Sequence, residues 1–277
     1  MGVIYVLNAD QRGFFRFEAG GKRGFLVVNT LGDLSLPGAK DIAGDISTER
    51  CIAFVRSAIG VPDIAVEIED VAVWKAVAEC ADAYRAGRVF IAGDAAHVVP
   101  PTGGFGGNTG VQDAANLAWK LAMVVKGEAN EALLDSYEAE RRPVGLLTVE
   151  QAYTRYVRRV TPEEIGPDTP TQRDELTMEL GQFYRSSAVV GGREADEPAC
   201  LHPDQTRGRA GARVPHAWLD DGRSTLDVAG ARSTWLLGPE APAAEGVRLS
   251  PEAAAHCGLD PAGALLVRPD GFVAEVR

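Results

Sequence analysis

Residues Arg88 to Leu121 read RVFIAGDAAHVVPPTGGFGGNTGVQDAANLAWKL. The stretch opens on a continuous apolar run, Val89-Phe90-Ile91-Ala92, the pattern of a strand buried on both faces of an α/β sheet. Such a strand delivers Gly93-Asp94 to the carboxyl edge of the sheet, where ligands of open α/β sheets bind. The Asp94 carboxylate is an acceptor for sugar or ribityl hydroxyls, or equally the cap of a short helix through Ala95 and Ala96. After a Pro- and Gly-rich loop from Pro100 to Gly107, the spacing predicts a helix over about Thr109 to Lys126. Gln112, Asn116 and Lys120 recur at i, i+4 and i+8 as its polar stripe. Val111, Ala114, Ala118, Leu121 and Val125 supply its expected buried face, and Gly127 its stop.

Five glycines, Gly103, Gly104, Gly106, Gly107 and Gly110, fall within eight residues. Glycine costs backbone entropy, so this density points to something flat or large against the backbone, or to a connector that packs strand tightly on helix. The loop runs into a helix N-terminus, whose free N–H groups and positive dipole end favour anionic charge. His97 is read as a packed or hydrogen-bonded structural histidine and not as a general base, because the spacing supplies no partner for it.

Upstream, short apolar runs alternate with turn signals: Val3 to Leu7, Phe14 to Phe17, Gly24 to Val28 and Ile64 to Ile68. These read as strands of a mostly antiparallel sheet. Ser47 or Thr48 caps a predicted helix that ends at Ile59 before Gly60, with Ile52, Val55 and Ile59 on one face. Residues 72–84 are ambiguous. Downstream, a second long helix is expected over about Leu133 to Arg159, starting near Asp135 and bent at Pro143. Pro162, Pro167 and Pro170 mark a linker. Beyond Gly181, Trp235 to Leu237, Leu265 to Arg268 and the turn Pro269-Asp270-Gly271 suggest a small α/β or α+β domain.

The whole chain has 277 residues and a formal net charge of -11. Chains divide into domains at roughly 250 residues, so two compact units are expected. The acidic balance disfavours nucleic acid and anionic membrane surfaces as partners. No stretch approaches the roughly 20 apolar residues of a membrane span, and Met1 is not followed by a secretory signal, which reads as a cytoplasmic protein. The four cysteines, Cys51, Cys80, Cys200 and Cys257, form no close pair and read as structural thiols.

The segment GDAAHVVPPTGGFGGNTGVQDAANLAWKL resembles the second flavin motif of the class A FAD-dependent aromatic hydroxylases, the p-hydroxybenzoate and phenol hydroxylase group. The resemblance implies FAD as cofactor, with Gly93 and Asp94 at the ribityl chain, Pro101 bordering the reacting ring, and Gly103, Gly106, Gly107 and Asn108 in the glycine loop. The amides of Gly107 and Asn108 would then meet the flavin C2 carbonyl, where a reduced flavin carries negative charge. Pre-aimed donors stabilise such charge without reorganisation. Tyr137-Glu138-Ala139-Glu140-Arg141-Arg142-Pro143 resembles the following helix of these enzymes, and residues 2–17 part of their substrate-domain sheet. Phe183-Tyr184-Arg185-Ser186-Ser187, Pro215-His216-Ala217-Trp218-Leu219 and Val267-Arg268-Pro269-Asp270-Gly271 resemble the thioredoxin-like C-terminal domain of bacterial aromatic-polyketide hydroxylases. That domain lacks Cys-x-x-Cys here, which favours a structural or dimer-supporting part.

The expected class is therefore mixed α/β and α+β. Residues 1–80 would form the remainder of a substrate-domain sheet, 81–160 the second flavin motif and its helices, 161–180 a linker, and 181–277 the thioredoxin-like domain. No G-x-G-x-x-G fingerprint for the FAD pyrophosphate occurs; Gly104-Phe105-Gly106-Gly107-Asn108-Thr109 ends in Thr and follows a loop. Asp221-Gly222 and Asp270-Gly271 lie in the wrong domain for the family's middle motif. The resemblance thus implies a partial chain of a monooxygenase that hydroxylates phenolic or polycyclic aromatic polyketide substrates with NAD(P)H and O2. Its partners would be an aromatic small molecule and either a homodimer mate or a complementing N-terminal half. Weak or absent FAD binding by the isolated chain is expected. The alternative is a non-catalytic remnant acting as a binding or assembly module. No residue is assigned as catalytic; the aromatics Tyr5, Phe14, Phe15, Phe17 and Phe25 fit the core at least as well as a pocket.

Overall fold

The computed structural model describes residues 3–8, 11–29, 42, 44, 46–73, 75, 77–191, 194–242 and 245–277. Met1, Gly2 and the stretch 30–41, parts of the expected first domain, lie outside the described residues. The chain divides into two compact units, Met1–Lys75 with Tyr156–Pro167, and Ala76–Arg155 with Asp168–Arg277. The expected mixture of helix and sheet is present.

In the first unit, β1 (Ile4–Leu7), β2 (Arg12–Phe17) and β3 (Gly24–Asn29) form an antiparallel meander in the order β1-β2-β3. The register sets Tyr5 opposite Phe14 and Phe14 opposite Val27, so the period-2 alternation puts these side chains on one face. Helix α1 (Thr48–Ile59) starts after Ser47 and stops at Gly60, which adopts φ 78°. A left-handed C-terminal glycine lets the chain leave the helix while satisfying its last carbonyls; here the Gly60 N–H donates to the Arg56 carbonyl. The Gln11 side chain donates to the Phe54 carbonyl at 2.7 Å and ties the meander to α1. The strand expected over Ile64 to Ile68 is absent: the segment is irregular and pairs with no described strand.

The second unit begins with four two-residue strands, β4 (Glu79–Cys80), β5 (Arg85–Ala86), β6 (Val89–Phe90) and β7 (His97–Val98). β4 pairs with β7 and β5 with β6, all antiparallel. This corrects the expected buried strand over Val89 to Ala92. The chain doubles back at Gly87, φ 60°, so the run pairs locally as a hairpin, and Val89 is left 65% exposed.

Helix α2 (Phe105–Val125) and helix α3 (Asp135–Val160) follow, the latter crossing from this unit into the first at Tyr156. Pro143 sits inside α3, where it removes one backbone donor, and the helix continues through it. Then come α4 (Glu175–Leu180), α5 (Thr225–Val228), β8 (Thr234–Leu237), β9 (Val247–Arg248), α6 (Pro251–His256), β10 (Ala264–Val267) and β11 (Val273–Val276). The last four strands form one sheet in the order β11-β10-β8-β9, with β8 and β9 parallel and the other pairs antiparallel. Its core gathers Leu236, Leu265, Val267, Val273, Val214, Leu249 and the thiol of Cys257. Burial pushes that thiol up to about 11, as befits a structural cysteine.

Candidate functional site

The glycine loop leads into α2 four residues earlier than the sequence suggests. Gly104, at φ 72°, is the N-cap, and the buried Phe105 anchors the first turn under the Arg155 guanidinium, 4.7 Å from the ring centre. The backbone N–H groups of Gly104, Phe105, Gly106 and Gly107 precede the intrahelical ladder and keep their donor capacity for a ligand or solvent. Asn108 therefore falls inside the helix and not in a turn before it, with its side chain exposed. A Cβ added at Gly104 or Gly107 would meet nothing within 4 Å, so this donor-rich turn faces open space.

Gly93 and Asp94 open a 3-10 turn, Gly93–Ala95, that packs against α2. Gly93 adopts φ 59°, and a Cβ on Gly110 would lie 3.1 Å from the Gly93 Cα; two glycines allow this backbone contact. The Asp94 side chain is exposed and, among the described residues, has no hydrogen-bond partner. Pro101 is likewise exposed, while Gly103 and Gly106 are half-buried. A second-motif flavin site asks for first-turn amide donors, an available carboxylate and a glycine surface without side chains. The residues present fit the ring and ribityl portion of a flavin on each count.

The polar face of α2 is the principal surprise. Thr109, Asp113, Asn116 and Lys120 are buried, whereas Val111 is 72% and Val125 84% exposed, and Ala114 and Ala118 are exposed as well. The stripe expected to face water faces the protein, and most of the expected apolar face is open. Each of these four buried polar side chains is paired, which offsets the penalty of its burial. Lys120 Nζ donates to Glu140 at 2.8 Å and to Asn116 at 2.7 Å, and Asn116 donates to Glu140 at 2.7 Å. Arg268 donates to both Glu140 oxygens and to Asp270. Burial would raise the Glu140 carboxyl, but the charge and hydrogen bonds of Arg268, the Lys120 charge and the Asn116 hydrogen bond together outweigh it and hold it well below the usual range. Lys120 is pushed down by burial to about 8.

His97 also has a partner that local spacing did not reveal. Its Nε2 lies 2.7 Å from Asp113 Oδ2, both side chains wholly buried, and Asp113 Oδ1 accepts from Arg141 Nε at 2.7 Å. His97 is thus buried and hydrogen-bonded, and Asp113 is the partner that its spacing in the sequence did not supply. The signal that could have found this network is the line Thr109, Asp113, Asn116 and Lys120, at i, i+4, i+7 and i+11 on one face of an otherwise Ala- and Val-rich helix. A cleft of about 140 Å³ between Gln112, Asn116, Glu179, Tyr184, Arg213 and Asp270 contains none of the predicted residues. It is smaller than the roughly 300 Å³ at which small-molecule pockets begin. Among the described residues no helix is long and apolar enough to cross a membrane.

Comparison with known proteins bears on the same residues. The profile of a family described as an FAD binding domain matches residues 4–152. A 4-methyl-5-nitrocatechol 5-monooxygenase of Burkholderia sp is 53% identical over 304 residues, covering 99% of this chain and 56% of that protein. A tetracenomycin B2 monooxygenase-dioxygenase of Streptomyces olivaceus is 45% identical, covering 86% of this chain and 48% of its own length. The crystal structure of aklavinone-11 hydroxylase in a ternary complex with FAD and aklavinone superposes with a TM-score of 0.87 at 32% identity, over 100% of this chain and 55% of that one. The chain thus spans about half the length of the curated relatives it matches.

Proposed function

The chain belongs to the FAD binding domain family, and from that premise we propose that it carries the flavin-facing part of an FAD-dependent monooxygenase acting on phenolic or polycyclic aromatic compounds. The observation that carries this reading is the glycine turn itself: first-turn amides and an Asp94 carboxylate without hydrogen-bond partners among the described residues, brought together by the Gly93–Gly110 contact. The names of the relatives, a nitrocatechol monooxygenase and a tetracenomycin oxygenase, support the substrate class.

In this reading, FAD supplies the redox chemistry that activates O2 for ring hydroxylation, with NAD(P)H as the reductant. The chain's own groups bind and orient. Asp94 accepts hydrogen bonds from ribityl hydroxyls, and Gly93 leaves room for the backbone to approach. The amides at Gly106 and Gly107 donate to negative charge on the pyrimidine edge of the ring, a preorganised electrostatic contribution. Pro101 and Gly103 border the ring and exclude water. Asn108, inside the helix, contributes its exposed side chain to the same rim. A cytoplasmic location accords with these cofactors.

The partner in this proposal is a complementing N-terminal half of the same fold, with a homodimer as the competing arrangement. The exposed Val111, Ala114, Ala118 and Val125 on α2 and the exposed Val89 support it, because apolar side chains at helical spacing form a packing face. The four C-terminal strands, with the parallel β8–β9 pair beside antiparallel β10 and β11, support a thioredoxin-like module for 181–277, and the absence of a close cysteine pair favours a structural part for it. The 161–180 stretch serves as the connection to that module.

The test is to express the chain with the N-terminal half of a related hydroxylase and follow NAD(P)H-dependent O2 consumption with a panel of phenols and polycyclic aromatics. The expected result is substrate-dependent turnover and a product heavier by one oxygen atom. A complex that holds FAD yet hydroxylates none of them would overturn the monooxygenase reading. A stable complex that takes up no FAD would favour an assembly module.

A further inference from the structure

The Gly93–Asp94 turn is anchored from beneath by a single carboxylate. Asp113, on α2, has no exposed side-chain surface. Its Oδ2 accepts the Gly93 backbone N–H at 3.1 Å and lies 2.7 Å from His97 Nε2. These two residues bracket the 3-10 turn Gly93–Ala95, so one side chain fixes both of its ends. On its other side, Asp113 Oδ1 accepts from Arg141 Nε at 2.7 Å.

Arg141 is in turn immobilised. It donates to the Thr109 carbonyl at 3.1 Å, to Tyr184 Oη at 2.9 Å and to Gln182 Oε1 at 2.5 Å. Burial would raise the Asp113 carboxyl, yet the His97 hydrogen bond and the Arg141 charge outweigh burial and hold it below the usual range. It is therefore a charged acceptor, and hydrogen bonds to a charged acceptor are the strong ones. The Gly110–Gly93 contact leaves the turn no slack against the helix.

We propose that Asp113 is a positioning residue: through the Gly93 N–H and His97 it sets where the Gly93–Asp94 turn stands relative to the first turn of α2, and thereby how Asp94 meets a ribityl chain. The flavin half of this statement rests on the proposed function, whereas the anchoring of the turn does not. A merely structural Asp113 would act on global stability alone. A positioning Asp113 acts on the turn more than on the helices around it.

Asp113→Asn separates the two. The side chain keeps its shape, and the surviving oxygen is drawn to the Arg141 cation, which turns an NH2 group, unable to accept, toward the Gly93 N–H. Amide hydrogen exchange is measured on the full chain, and FAD affinity on the chain completed by the N-terminal half. The expected result is a loss of Gly93 amide protection about ten-fold beyond the loss shared by the α2 amides from Asn116 to Leu121, a shared loss that follows from leaving the buried Arg141 charge without its carboxylate. FAD affinity should fall about ten-fold, roughly the worth of one hydrogen bond to a charged group.

Unchanged Gly93 protection would overturn the proposal, as would an equal loss spread over α2 and α3, or a loosened turn with undiminished FAD affinity. His97→Ala and His97→Gln give a second route should Asp113→Asn not fold. Both keep the Asp113–Arg141 pair; Ala should weaken FAD binding and Gln, which still donates to Asp113, should restore most of it. Equal affinities for these two variants would contradict the proposal. If the completed wild-type protein takes up no FAD, the flavin reading fails, and the exchange measurement alone still decides whether Asp113 fixes the turn.

Discussion

Glu140 and Arg268, 128 residues apart in sequence, form a bidentate pair at 2.7 and 2.9 Å with almost no exposed side-chain surface. The pair fastens the turn after β10 to α3, and Lys120 and Asn116 bring α2 to the same carboxylate. Breaking a buried pair from one side strands the remaining charge. Arg268→Met should therefore destabilise the protein by about 3–5 kcal/mol. Urea unfolding measures this; a loss below about 1 kcal/mol would show that the pair is dispensable.

That network also gives the stability a pH dependence of known sign. The Glu140 carboxyl titrates below its ordinary 4.5 in the folded protein because Arg268, Lys120 and Asn116 together outweigh burial. The unfolded chain binds that proton more readily, so the contribution is present in full above about pH 4.5 and lost as the pH falls through the lower folded value. Asp113 acts in the same direction. Thermal unfolding should show falling stability on acidification, and Glu140→Gln, less stable at neutral pH, should show a shallower fall. Lys120, lowered by burial to about 8 from 10.5, contributes stability that grows between those two values as the pH rises. Lys120→Met should abolish that alkaline rise.

How far the sequence could be read depended on where each residue's partners lie. The bounds of α1, the start of α3 at Asp135, the β8 and β10 segments and the Pro269-Asp270-Gly271 turn follow from local signals, caps, periodicity and turn residues, and they stand. The orientation of α2 does not follow locally. Asn116 and Lys120 belong to the core only because Glu140 and Arg268 arrive from distant positions, whereas a helix considered alone assigns a polar stripe to water. Val89 to Ala92 carried the pattern of a buried strand, but a strand is buried by its neighbours, and here the run pairs as a hairpin. At the candidate site, the glycine turn and Asp94 were singled out by local signals, and their part in binding is the proposal made above. The residues beneath them, Asp113 and Arg141, were not.

Gly145, inside α3, faces Tyr84. A Cβ there would lie 2.1 Å from the Tyr84 hydroxyl and 3.4 Å from His97 Cδ2. Alanine ordinarily favours a helix over glycine by up to about 1 kcal/mol. Here Gly145→Ala should instead destabilise by about 1–3 kcal/mol, because Tyr84 is fully buried and cannot move aside. Tyr84→Phe should recover part of the loss in the double variant. A Gly145→Ala protein more stable than wild type in thermal unfolding would contradict this packing.

The exposed apolar face of α2 makes a prediction of another kind. Val111→Asp lies at a site 72% exposed, so stability of the isolated chain should change by less than about 0.5 kcal/mol. Association with an N-terminal half, followed by analytical ultracentrifugation, should be lost. Undiminished association would show that the partner, if one binds, sits elsewhere.

The most direct test of the account is a titration with FAD, following flavin fluorescence, of the chain alone, of the chain with a separately expressed N-terminal half of a related hydroxylase, and of the same mixture carrying Asp94→Ala. Weak or no binding by the chain alone, tight binding by the mixture, and a clear loss with Asp94→Ala are expected. Tight binding by the chain alone would show that the turn needs no completing half, and a mixture indifferent to Asp94→Ala would contradict the placing of the flavin at the Gly93–Asp94 turn.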